Sequence, residues 1–369
     1  MTAVSILDSV HRAAGARFAG DAPGAPLLTY GDVPAEYAAG VEGCALFDAT
    51  DRGALAMGGD DRAEFCHRIL ANTIRGLEAG QGNHQLLLTA KGKVTADFDL
   101  RVEADRYHFT TVPGAAPALA QALDMFLFAD AVELTDVSDE HAPLELCGPE
   151  SASVLKSVLG TLPELDEYGF AELELEGGVV TVTRVPVAGS WGWRVDAGPA
   201  GTEALWRALC AAGAQPAGVV AHDCLRVEAG AAIFGADVTD DVYPQEARLE
   251  EAFALDKGCY VGQEVVAKID TYGGLNKRMV GLAVSHDDPV PRGAKLIAWD
   301  DKLEKDRELG IVTSWAYSFV LDTGLVLAYV KRRHQAVDTE FKIEGTEATA
   351  RVVQLPLRAG ARPLSGEFE

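Results

Sequence analysis

Two stretches of the chain share one pattern of apolar and polar positions. The first opens as the strand-like run Ala54-Leu-Ala-Met57, passes through Gly58-Gly-Asp-Asp61, and continues with Phe65, Cys66, Ile69 and Leu70. The second opens as Leu144-Glu-Leu-Cys147, passes through Gly148-Pro-Glu150, and continues with Val154, Leu155, Val158 and Leu159. Apolar spacing of i, i+1, i+4 and i+5 makes one face of a helix. Asp60, Asp61 and Glu150 fall where a helix N-terminus favours negative charge. The pattern predicts a strand-turn-helix unit used twice, about ninety residues apart.

Between the two units, Gln85–Leu88, Asp97–Glu103 and Tyr107–Val112 predict strands, and Ala115–Phe128 predicts a helix. Val179–Val187 and Trp191–Asp196 predict a hairpin about Ala188-Gly-Ser190. Thr202 is placed to cap a helix bearing Leu205, Trp206, Leu209 and Cys210 that stops at Gly213. Beyond Asn276 the helical period disappears. Short β-like runs at Met279–Val284, Lys295–Trp299, Leu309–Thr313, Leu325–Val330, Val337–Ile343 and Thr349–Gln354 predict a small β-barrel or sandwich as a separate domain.

Composition narrows the function. The 369 residues carry 32 Lys and Arg against 56 Asp and Glu, a net charge of −24. That surplus disfavours direct contact with nucleic acid, whose recognition depends on neutralising phosphates, and docking on an anionic membrane. A small ligand or a basic protein partner suits it better. No apolar run is long enough to span a membrane. The segment MTAVSILDSVHR lacks the basic, then apolar, order of a secretory signal. The six cysteines are scattered, with no C-x-x-C pair, which argues against a zinc site and a disulfide framework. The expectation is a cytoplasmic protein with reduced cysteines.

Cys259 has unusual neighbours. It lies in Asp256-Lys-Gly-Cys-Tyr-Val-Gly-Gln-Glu264, followed by helix-like spacing at Val265, Val266 and Ile269. With a helix starting near Gly262, the thiol would sit before its N-terminus and beside Lys257, conditions that favour a thiolate. On local physics alone, a turn shaped by Gly258 and Gly262 with Cys259 as a small buried filler accounts for the stretch better.

The string Lys257-Gly-Cys-Tyr-Val-Gly-Gln-Glu264 resembles the K-G-C-[FY]-x-G-Q-E signature of the YgfZ family. The resemblance extends through Leu225–Gly230, Gly235–Asp237 and Pro244–Glu246, and to Gly43–Asp48, Phe65–Asn72 and Gly92–Asp97. It reaches Gly310–Ser314, Ala328–Val330 and Val353–Pro356 in the C-terminal part. The wider family includes the glycine-cleavage aminomethyltransferases and folate-dependent demethylases. The resemblance implies an α+β fold with two related folate-binding lobes, about 1–140 and 141–275, and a C-terminal β-barrel at 276–369, in a three-lobed arrangement. It implies tetrahydrofolate or another reduced folate in the central hole. It also implies iron–sulfur client or assembly proteins as partners, with any effect on tRNA modification indirect.

Site residues follow from the same resemblance. Cys259 and Asp97 are the candidate catalytic residues. Lys257, Arg226, Glu228, Tyr260, Gln263, Trp193 and Arg194 are the candidate folate-binding residues. Asp97 either orients a folate nitrogen, assists proton transfer, or makes a structural hydrogen bond. If Leu225–Gly230 is a strand, Arg226 and Glu228 share one face and can pair with each other or with a ligand. Arg226, Lys257 and Arg194 would form the local positive patch that an anionic folate tail needs.

The chain departs from the transferase pattern at two places. Ala96 replaces the first of a pair of aspartates. Arg194, in Ser190-Trp-Gly-Trp-Arg194, stands where the transferases carry a glutamate that accepts hydrogen bonds from the pterin. Three functions remain open: a YgfZ-type accessory protein of iron–sulfur enzymes, a one-carbon transferase or demethylase using tetrahydrofolate, and an interaction protein with a degenerate folate site. The intact signature favours the first; Ala96 and Arg194 count against the second.

Overall fold

A computed structural model describes residues 5–175, 178–300 and 304–365. The first four residues of the N-terminal segment considered above lie outside the described residues. The two predicted strand-turn-helix units are both built. Strand Gly53–Gly58 leads to helix Arg62–Ile69, and strand Leu144–Cys147 leads to helix Ser151–Leu159. Each turn uses a left-handed glycine. A Cβ at Gly59 would lie 2.0 Å from the Ala131 carbonyl oxygen, and one at Gly148 2.4 Å from that of Gly43. Only glycine fits such an approach.

Each unit sits in its own sheet, the first antiparallel and the second antiparallel except for its edge strand Gln215–Pro216, which pairs in parallel with Ala45–Leu46. The first sheet runs, in spatial order, Gly82–Leu88, Val94–Val102, Tyr107–Thr111, Gly53–Gly58 and Glu133–Asp136. The second runs Phe170–Leu175, Gly178–Val187, Ser190–Asp196, Leu144–Cys147, Ala45–Asp48 and Gln215–Pro216. Ala45–Asp48 pairs with Leu144–Cys147, so this early strand belongs to the second sheet. The sheets therefore do not divide in sequence order at residue 140. The exchange also brings Asp48 and Arg52 to the seam between the lobes.

The C-terminal runs close a six-stranded barrel in the order Lys277–Val284, Thr323–Lys331, Lys305–Ser318, Lys295–Asp300, Glu340–Ile343 and Thr349–Val353. Closure removes the unpaired edges of the individual strands. One buried cluster reaches from Leu86, Leu88 and Val94 in the first lobe, through Leu225 and Val227, to Leu325 and Leu327 of the barrel. Burying each such leucine contributes about 2 kcal/mol. The three lobes thus share a core, which surrounds the gap left where they meet.

Two local expectations are corrected. Leu225–Gly230 is not a strand: it ends helix Val219–Ala229, which Gly230 stops in the left-handed conformation at φ +75. A run of Leu, Val and Ala that alternates with charge is compatible with either period over so few residues. Thr202 is not a cap either. The helix begins earlier, at Gly198–Pro199, and runs to Ala211; Thr202 Oγ1 donates to the Ala142 and Gly198 carbonyls from within it. Proline at the first turn provides the start signal instead.

Candidate active site

A cavity of about 620 Å³ lies where the two sheets, helix Val219–Ala229 and the C-terminal segment after the barrel meet. Strand Val94–Val102 shows how the sequence builds one wall. Ala96, Phe98, Leu100 and Val102 are buried in the first-lobe core, and Asp97 and Asp99 alternate onto the cavity face. Ala96 is among the buried residues, 8% exposed, packed with Phe98 and Leu100. A carboxylate at 96 would enter apolar core, so its absence leaves the cavity unchanged. Asp99 supplies the second wall carboxylate.

Asp97 is held by a residue that the sequence did not single out. His84, on the neighbouring strand, lies with Nε2 2.6 Å from Asp97 Oδ1 and Nδ1 3.5 Å from Glu251 Oε1. Burial works against a charge on this ring, but the Asp97 and Glu251 carboxylates outweigh it and hold the imidazole well above its usual pKa. Glu251 in turn is opposed by burial yet drawn down to about 2 by His84 and Arg362. Arg362, from the C-terminal segment, pairs with Glu251 and lies 4.5 Å over the Trp191 ring. Tyr168 stacks on His84 with ring centroids 6.2 Å apart.

Arg194 also reaches the cavity wall, but its charge is engaged. Its guanidinium lies 2.8 Å from Asp99 and 2.9 Å from Glu145, and it is 4% exposed. Glu145 is shared with Arg52 at 2.9 Å; burial opposes its charge, yet the two arginines hold it down to about 2. An arginine at this position is therefore built into a carboxylate network, with no part of it projecting as a free cation. Trp193 does not line the cavity. It is buried in the second-lobe core, with the Arg184 guanidinium 4.8 Å over its ring.

Arg226 and Glu228 do not share a face, because two residues on a helix are separated by roughly 200°. Arg226 lines the cavity and pairs with Asp223 at 2.6 Å and Asp237 at 3.0 Å, donating also to Ser314 of the barrel. Glu228 is fully buried on another side, accepting from Tyr37 Oη, Ser318 Oγ and the Val320 amide. It ties helix and barrel together. Of the expected positive patch, Arg226 and Arg194 reach the wall in ion pairs, and Arg52, Arg248 and Arg362 join them. Burial lowers Arg248 to about 10.

The Lys257–Glu264 signature lies outside the cavity. Lys257 Nζ donates to the carbonyls of His67, Leu70 and Asn72, at and beyond the end of helix Arg62–Ile69, and burial lowers it to about 8. It is the cation at that helix's C-terminus. Gly262, at φ +82, starts helix Gln263–Tyr272; a Cβ there would lie 2.5 Å from the Thr89 carbonyl. Tyr260 is buried under Lys257, with its hydroxyl pushed up to about 12 by burial. Gln263 Nε2 donates to Leu255 O. Cys259 is the exposed member of the six cysteines. The signature turn therefore docks on the Thr89–Gly92 turn of the hairpin that carries Asp97, and presents its thiol to solvent.

Asp97, Arg226 and Arg194 are thus brought together, while Lys257, Glu228, Tyr260, Gln263, Trp193 and Cys259 are not at the cavity. His84, Asp99, Glu145, Tyr168, Glu251 and Arg362 were missed. The alternation of Asp97 and Asp99 in a predicted strand was a signal for one of them; the others come from distant segments and carry no local mark. Among the described residues, no group of three or more His, Cys, Asp or Glu side chains could hold a metal ion. No helix among them is long and apolar enough to cross a membrane.

Comparison with known proteins fits this architecture. Residues 8–257 match the GCVT N-terminal domain, and residues 277–357 match the glycine cleavage T-protein C-terminal barrel domain. The aminomethyltransferase of Rubrobacter xylanophilus is 32% identical over 359 residues, covering 94% of this chain and 91% of that protein. That of Saccharopolyspora erythraea is 27% identical, covering 95% of this chain and 96% of that protein. The crystal structure of the glycine cleavage system aminomethyltransferase T from Bartonella henselae superposes with a TM-score of 0.85 at 25% identity, covering 98% of this chain and 99% of that one. With both domain matches in order along the chain, and a relative this similar over nearly the whole length, the protein belongs to the glycine cleavage T-protein family.

Proposed function

We propose that the central cavity binds a reduced folate and that the protein moves a one-carbon unit between a small amine and that folate. The observation that carries the reading is Asp97: a carboxylate held at the cavity wall by His84, with Asp99 and Glu251 beside it. The cavity is of the size that takes such ligands. The residues present fit the group. Asp97 and Glu251 are acceptors for the amino and NH edge of a pterin, Tyr168 offers an aromatic wall, and the guanidinium groups of Arg226, Arg248 and Arg362 line the wall an anionic tail would meet. Bound tetrahydrofolate would contribute a nucleophilic nitrogen that accepts the one-carbon unit. Asp97 would steer the amine by charge and take or hold its proton; the shared core of the three lobes would keep water out.

Neither departure from the transferase pattern weighs against this reading. Ala96 faces the core, and Arg194 is neutralised by Asp99 and Glu145. Calorimetric titration with tetrahydrofolate should show saturable binding, and a methylated or glycine-derived amine should be turned over. Asp97→Asn should lower that turnover by about 10²-fold or more. Absence of folate binding would overturn the reading.

A second reading rests on Cys259. An exposed thiol, on a turn held by Lys257 and Gly262 and outside the cavity, suits contact with a protein partner. It supports a YgfZ-type role with iron–sulfur client or assembly proteins, and an indirect effect on tRNA modification. Cys259→Ser should then fail to sustain iron–sulfur enzymes in cells lacking the native protein. Full complementation would remove the thiol from that role.

A further inference from the structure

The transfer reading assigns Asp97 a task but does not explain what orients it. We propose that His84 is the positioning residue for Asp97, an imidazole gripped between two carboxylates that fixes which Asp97 oxygen faces the ligand. The inference rests on the folate-transfer reading of the same cavity.

The placement follows from strand register. Leu86 stands opposite Asp97, and His84 opposite Asp99, so His84 and Asp97 are diagonal neighbours on one face of an antiparallel pair. Such neighbours lie within reach of long or ring side chains. His84 Nε2 meets Asp97 Oδ1 at 2.6 Å, and Nδ1 faces Glu251 Oε1 at 3.5 Å. Among the described residues, Asp97 Oδ2 accepts no hydrogen bond, which leaves it for the ligand.

The ring's surroundings are polar on every side that matters. Asp97 and Asp99 face it from the adjacent strand, Glu251 from the turn after Arg248, and Tyr168 from the loop before strand Phe170–Leu175. Arg362 stands behind Glu251, and Arg194 behind Asp99. His84 is 13% exposed in its side chain, so its two partners act at close range with little screening by water. Nε2 donates to Asp97 Oδ1, while Nδ1 faces Glu251 Oε1 at ion-pair distance without a hydrogen bond, so a flip of the ring would break the Asp97 contact. Glu251 is anchored by Arg362 from the C-terminal segment, so the grip on Asp97 extends to a segment that closes the cavity from the barrel side.

While His84 keeps its proton, its hydrogen bond to Asp97 Oδ1 is charge-assisted. When the ring loses its proton at high pH, Asp97 loses the opposing charge beside it and its hydrogen bond from His84 weakens. The alkaline limb of turnover therefore belongs to His84.

The test uses the full chain. ¹⁵N-histidine NMR at about pH 7.5, where an ordinary imidazole is neutral, should find His84 protonated, and Asp97→Asn should return it toward neutrality. In turnover of a methylated amine with tetrahydrofolate, His84→Gln should lower kcat by about 10²-fold, as misplacement of a reacting group does. It should leave KM little changed and abolish the alkaline limb. Glu251→Gln, which keeps the ring and its Asp97 contact, should move that limb to lower pH. A wild-type protein that binds no tetrahydrofolate overturns both the transfer reading and this one. Folate binding together with a neutral His84, or with wild-type kcat and pH profile in His84→Gln, overturns the His84 assignment alone.

Discussion

The Lys257–Glu264 turn and the central cavity are built on opposite plans. The turn is eight consecutive residues, and most of its hydrogen bonds serve architecture: Lys257 closes the end of helix Arg62–Ile69, and Gly262 allows the Thr89–Gly92 turn to come close. The cavity draws its charged residues from strands, a helix and the C-terminal segment, spread from Asp8 to Arg362. A contiguous motif is easy to recognise because a turn needs its residues in a row. A site assembled at a seam has no such requirement. The two regions meet at one place, since the turn steadies the hairpin whose second strand bears Asp97. The conspicuous motif thus supports the inconspicuous site.

Four substitutions or conditions would break or sharpen that contrast. Arg194→Glu, which mimics the transferase residue, should cost about 3–5 kcal/mol, because it leaves Asp99, Glu145 and a third carboxylate together without their shared cation. Urea denaturation measures this; an unchanged midpoint would show that the network is not a unit. Acid titration comes next. Glu145 and Glu251 are both held near 2 in the folded chain against an ordinary value near 4.5. Their contribution is present above about pH 4.5 and is lost as pH falls toward 2. For Glu145 alone it amounts to about 3 kcal/mol by linkage, and Glu145→Gln should flatten the acid limb of the stability curve.

Lys257→Met tests the turn. Three carbonyls lose their donor, and a loss of about 2 kcal/mol is expected, with weaker folate binding only as far as the Asp97 hairpin loosens. Hydrogen exchange at Thr89–Lys93 would report that loosening; unchanged protection there would separate the turn from the cavity. The smallest effect belongs to Cys259→Ser. An exposed thiol exchanged for a hydroxyl should leave stability within about 0.5 kcal/mol and leave tetrahydrofolate binding at the wild-type value. A large loss of folate binding in that variant would join the two regions functionally.

Much of the fold could be read from the residues. The strand-turn-helix pair, the hairpin around Ala188–Ser190 and the change to β-structure near Asn276 all have local causes: apolar period, left-handed glycines, and short runs between turn residues. The site was less legible. Arg226 was expected to pair with Glu228 on a strand; a helix turned the two apart and gave each its own buried partners. Lys257 was expected beside a ligand, yet the nearest acceptors to its ammonium are backbone carbonyls. His84 went unnoticed because its meaning depends on Glu251, far away in the chain.

The sequence by itself determined most of the elements and which residues of a strand share a face, since alternation and helical period are properties of neighbouring residues; the short run Leu225–Gly230 was the exception. It therefore determined that Asp97 and Asp99 look the same way, and that Ala96 looks the other. Which charges meet across the cavity was decided only in the tertiary structure. Arg194 is ligated by two acids, His84 is clamped by two more, and Arg362 arrives from the C-terminal segment. Those contacts depend on how three lobes pack around a shared core. Charge interactions fall off within a few ångströms of low-dielectric space, so they are set by that packing and by nothing shorter in range.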